Sequence, residues 1–137
     1  MTFAQCLKVI PMLVLPLAAV LGCREPDVRG GTMGSLTSHG EPLSDVQVTV
    51  HEASGSTPRP VGSAVTRLDG TFELLVVGAS GPLWLPPGQY VCTVETAGAP
   101  VAFPVEFSKP ESTPLRVSWT SDSQTLDLVA PSELLRH

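Results

Sequence analysis

Few side chains in this chain of 137 residues are equipped for chemistry. The most distinctive are three cysteines (Cys6, Cys23, Cys92), three histidines (His39, His51, His137) and one tyrosine, Tyr90. No two histidines stand at a metal-ligand spacing such as H-x-x-x-H, and no second cysteine is available to join Cys92 in a zinc set. All three histidines read as surface residues, His39 in a turn and His51 on the outer face of a strand. No serine sits in a G-x-S-x-G elbow. Cys92 alternates with Tyr90 and Val94, which places it in a core, where a thiol is inert. No catalytic residue, metal ligand or cofactor is therefore expected. Two tryptophans, Trp84 and Trp119, are the candidate ligand platform, because an exposed indole stacks on sugars and donates a hydrogen bond. The competing readings have Trp84 capping the end of the domain and Trp119 packed at a strand edge, or these side chains in contact with a partner.

Cys23 is the remaining chemical residue, and its surroundings give it a meaning. It ends Val20-Leu21-Gly22-Cys23, directly after an apolar run from Val9 to Leu21. Lys8 is the only charge before that run, and Pro11 and Pro16 interrupt it. The run is also shorter than the roughly 20 residues needed to span a bilayer. This looks like a bacterial lipoprotein signal peptide, although Val20 and Leu21 stand where leucine and a small residue are usual. The resemblance implies cleavage before Cys23 and a lipid on its sulfur. It also implies localisation in the bacterial cell envelope, anchored to a membrane and facing the periplasm. The alternatives are an ordinary secretory leader, with the protein secreted, and an uncleaved anchor.

Cleavage at that point removes Cys6 and one positive charge, taking the net charge from −5 to −6. Cys92 is then left without a disulfide partner. A mildly acidic chain with scattered charges is no nucleic-acid binder and has no electrostatic pull toward anionic lipid. Membrane contact is expected through the lipid, with an unknown envelope protein or glycan as further partner.

The rest of the chain divides into a tether (23–30), a domain (31–130) and a tail (131–137). Its punctuation is that of short strands and turns. Val46, Val48 and Val50 alternate with Gln47, Thr49 and His51, the period of a half-buried strand. Val61–Arg67 and Thr71–Val77 flank Leu68-Asp69-Gly70, an Asp-Gly hairpin signal, with Phe72, Leu74 and Val76 directed inward. Gln89–Glu95 follows the proline-rich loop Gly78–Gly88. Ala102–Phe107 contains Pro104 and is expected to be an edge or irregular strand. Leu115–Trp119 and Thr125–Val129 close the domain, and the tail is expected to form a helical turn or to fray. The fold class is all-β: an antiparallel sandwich of about seven short strands.

Three segments carry a family resemblance. Gly34 to Val50, containing Gly40, Pro42, Leu43, Val46 and Val48, resembles G-x-V-x-x-x-G-x-P-L-x-x-A-x-V-x-V. Thr66-Arg67-Leu68-Asp69-Gly70-Thr71-Phe72-Glu73-Leu74 resembles T-D-x-x-G-x-[FY]-x-L. Pro87-Gly88-Gln89-Tyr90-Val91-Cys92-Thr93-Val94 resembles P-G-x-Y-x-V-x-V. Together they resemble the carboxypeptidase regulatory-like domain, whose fold is a transthyretin-like (prealbumin-like) sandwich. Arg67 stands where that family favours Asp, Cys92 replaces an apolar residue, and Thr32 sits where Val is common. The matching residues make turns and strands, so the resemblance speaks to fold rather than function. Enzymes on related folds fit poorly. The purine-pathway hydrolases end in Tyr-Arg-Gly-Ser, and the intradiol dioxygenases hold iron with two Tyr and two His. The function expected is a non-enzymatic, lipid-anchored structural or interaction module. The alternative is a carbohydrate- or small-ligand-binding module using Trp84 and Trp119.

Overall fold

The computed structural model describes residues 30–78 and 80–134. Cys23 and the leader lie outside them. The chain forms β1 (Met33–Ser38), β2 (Glu41–Pro42), β3 (Val46–Glu52), β4 (Arg59–Val65), β5 (Thr71–Glu73), β6 (Leu75–Val76), β7 (Gly88–Thr96), β8 (Val101–Ala102), β9 (Arg116–Trp119), β10 (Thr125–Val129) and β11 (Glu133–Leu134). One 3-10 turn, Val105–Ser108, follows Pro104. Two sheets face each other as a sandwich. The larger runs β6-β4-β3-β7-β9, and in the smaller β1 pairs with β10, β2 and β5. A short β8–β11 ribbon lies apart from both.

The core grows from the alternating strands. Val46, Val48 and Val50 of β3, Cys92 and Val94 of β7, Leu36 of β1, and Leu126 and Leu128 of β10 turn inward and are buried together. Phe72 fills the centre, and its ring lies so close to β1 that a β-carbon at Gly34 would stand 2.4 Å from its Cζ. Burying one such ring contributes about 2–3 kcal/mol.

Several elements depart from the expectation, each for a physical reason. The Asp69-Gly70 turn forms, with the Gly70 N–H donating to the Arg67 carbonyl at 2.8 Å and φ of 79° at Gly70. The two runs that it joins do not form a simple hairpin. The outgoing run splits at the fully buried Leu74: β5 pairs with β1 in the smaller sheet, and β6 pairs back with β4 in the larger. One segment thus bridges both layers, and Val76 is only half-buried. The β1–β10 pair is parallel, unlike the other ladders among the described residues. The expected strand at Ala102–Phe107 is cut to Val101–Ala102, since proline cannot donate to a ladder and here initiates the 3-10 turn. In the tail, Glu133 and Leu134 pair with β8 rather than forming a helical turn.

The Asp69 carboxylate accepts from the Thr71 N–H (3.1 Å) and hydroxyl (2.6 Å), while Arg67 reaches Glu73 at 3.3 Å. Thr32 has a use that valine lacks: its Oγ1 accepts the buried Leu85 N–H at 2.9 Å.

Candidate functional site at the open end of the sandwich

The inward face of β3 reads Val46, Val48, Val50 and then Glu52. The first three are buried, and the acid is the next residue in the same register, at the mouth of the sandwich. Tyr90 of β7 is its cross-strand partner. The loop before β7 closes over the pair, with Leu83 and Leu85 turned inward. Together with Val61 these residues line a groove of ≈ 340 Å³. That volume is within the range of small-molecule pockets.

The polar groups of the groove are already committed. The Tyr90 hydroxyl donates to the Pro86 carbonyl at 2.6 Å. Glu52 accepts from Ser54 Oγ at 2.7 Å and from Arg59 Nη2 at 2.8 Å. These hydrogen bonds, Ser54's first and then Arg59's, with the guanidinium charge added, hold the Glu52 carboxyl below the usual carboxylate range. Burial, with the nearby Glu52 charge, pushes the Tyr90 phenol up. Near neutrality Glu52 is an anion and Tyr90 a neutral phenol. Neither is tuned toward the pH where a general acid or base works best. The groove has apolar walls and one fixed anion at its rim.

The two candidate tryptophans are not brought together. Trp84 is 67% exposed and points away from the groove, between the inward-facing Leu83 and Leu85. Trp119, by contrast, is only 9% exposed and belongs to the core. It offers no face for stacking, so the two-tryptophan platform is not formed. Its burial was readable in the alternation Leu115, Val117, Trp119.

The histidines also separate. His39 stays exposed in the turn between β1 and β2. His51 is not a surface residue; it is 8% exposed, with Nε2 3.1 Å from Thr93 Oγ1 and Nδ1 unpartnered among the described residues. Cys92 is fully buried, and burial pushes its thiol up to about 12. Among the described residues no three His, Cys, Asp or Glu side chains gather where they could hold a metal ion. No helix among them is long and apolar enough to cross a membrane.

The groove escaped the sequence reading because Glu52 and Tyr90 meet only across strands. The available signal was an acid continuing the inward register of three valines. Searches of known protein families, of characterised proteins and of solved structures find no match to this chain.

Proposed function

We propose that the protein is a non-enzymatic, lipid-anchored module of a bacterial cell envelope. Cys23 carries the lipid, and the sandwich is held at the membrane surface to contact another envelope component. The observation that carries this reading is Gly22-Cys23 closing a short apolar run that is broken by two prolines. The first strand begins at Met33, ten residues after that cysteine (33 − 23), as expected of cargo on a short tether. A single acyl chain anchors only marginally, at roughly 0.8 kcal/mol per buried methylene. The several chains typical of the lipoprotein class would make attachment stable. The turn motifs at Gly40-Glu41-Pro42, Asp69-Gly70 and Pro87-Gly88 support membership of the carboxypeptidase regulatory-like, transthyretin-like group. Labelling cells with radioactive palmitate tests the anchor. Label in the wild type that is lost in Cys23→Ser supports it; equal label, or none in either, overturns it.

The groove beside Glu52 and Tyr90, or the outward-facing Trp84 on the loop that closes it, favours a second reading, a small-ligand or carbohydrate module. Glycan-array binding abolished by Glu52→Gln or Trp84→Ala would support it. Binding that survives both would exclude this surface.

A further inference from the structure

We propose that the face bearing Trp84 lies against the membrane surface, with the indole in the lipid headgroup layer. This inference rests on the lipid-anchor reading and adds an orientation to it. The first observation is where the chain enters the domain. A β-carbon at Gly30 would stand 3.6 Å from Trp84 Cζ2 and 3.8 Å from Pro82 Cβ. The Gly30 N–H donates to Glu73 Oε2 at 3.3 Å, which fixes that point on the domain. Seven peptide units separate it from Cys23, a span of at most about 25 Å when fully extended. The tether therefore leaves the sandwich beside Trp84, and a lipid on Cys23 draws this end toward the bilayer.

The second observation is the chemistry of the surface. From Leu74 to Gly88 the sequence holds no charged residue. Leu75 and Pro82 face each other across an antiparallel bridge, and the Val76 N–H donates to the Gly81 carbonyl at 2.8 Å, so residues 80–82 lie back along residues 75–78. It presents the exposed Val77 and Pro82, with Trp84 just beyond. Within this stretch no charge need be desolvated to meet headgroups; Glu73, which holds Gly30, and Glu52, at the rim of the groove, lie just outside it. A tryptophan with an apolar body and one N–H donor is the side chain best suited to that layer. An exposed indole elsewhere on the domain would need a different partner. One beside the tether exit is met by the bilayer before anything else.

The test uses the full chain expressed with its leader, purified from membranes and reconstituted into phosphatidylcholine–phosphatidylglycerol vesicles. The phosphatidylcholine carries bromine on acyl carbons near the headgroup. Wild type and Trp84→Phe are compared, so that their difference reports Trp84 and the buried Trp119 serves as internal control. Mass spectrometry of Cys23 is run on the same samples. Quenching and a blue shift present in wild type and absent from Trp84→Phe support the inference. An acylated Cys23 with equal quenching in both proteins overturns it while leaving the anchor intact, and points to a glycan or protein partner for Trp84. Trp84-dependent quenching without acylation keeps the face and removes the lipid anchor. Neither acylation nor quenching removes both.

Discussion

Gly70 and Pro42 are in contact across the fold: a β-carbon at Gly70 would stand 2.8 Å from Pro42 Cβ and 2.8 Å from the Leu36 carbonyl oxygen. The Leu36 N–H donates to the Gly70 carbonyl at 2.9 Å, and the Leu43 N–H returns to the Leu36 carbonyl at 3.0 Å. Two turn motifs thirty residues apart in the chain thus dock on the same strand, β1. The Asp69-Gly70 turn carries the chain from the larger sheet to the smaller, so this contact joins the layers at one corner.

Gly70→Ala should therefore be strongly destabilising. It forces a β-carbon into positive φ and into contact with backbone, so a cost of about 2–3 kcal/mol is expected. For a domain of this size that lowers Tm by roughly 10 °C or more. Urea unfolding followed by circular dichroism measures it. A midpoint within error of wild type would mean that the corner relaxes freely.

Thr32→Val tests a different bond. The shapes match, but the Leu85 N–H loses its acceptor in a buried place. An orphaned buried donor costs about 1–3 kcal/mol. Thr32→Ser keeps the oxygen and should lose less than Thr32→Val. The reverse order in thermal unfolding would show that the methyl group, not the hydroxyl, matters there.

Elements governed by local pattern were legible in the sequence, and those governed by distant pairing were not. Val46, Val48 and Val50 announce β3, and the alternation at Leu126 and Leu128 gives β10 its bounds. The parallel pairing of β10 with β1 joins residues such as Leu36 and Leu128, and no local signal encodes it. The split at Leu74 is hidden because the run Phe72 to Val77 is almost continuously apolar, which suits a single strand as well as a bridge between sheets. Glu133 and Leu134 become a strand only because β8 offers an edge. At the groove, the identity of Glu52 as an inward-register acid was in the sequence, but its meeting with Tyr90 needed the β3–β7 register.

Cys92 should be chemically silent in the folded protein. Its thiol is fully buried and burial pushes it up to about 12, so almost no thiolate forms near neutrality. A maleimide or disulfide reagent at pH 8 should leave Cys92 unmodified under native conditions and label it in denaturant. Peptide mapping distinguishes it from Cys6 and Cys23. Fast native labelling of Cys92 would mean that β7 opens readily.

His51 should make the fold sensitive to mild acid. Burial lowers its affinity for a proton, and the Glu111 carboxylate only partly offsets that. The ring faces Thr93 on β7, whose hydroxyl can serve either tautomer. The folded pKa lies below the unfolded value of about 6.5, so above neutrality both states are uncharged and no penalty exists. As pH falls through about 6.5 the unfolded chain takes up the proton first, and stability is lost. The slope from this one group is at most about 1.4 kcal/mol per pH unit. Thermal unfolding between pH 7.5 and 5.5 should show Tm falling in wild type and a flatter profile in His51→Gln. The depressed carboxylates Glu52 and Asp69 titrate below this window, so they do not confuse the comparison. Parallel profiles for the two proteins would show that the imidazole charges within the fold at little cost.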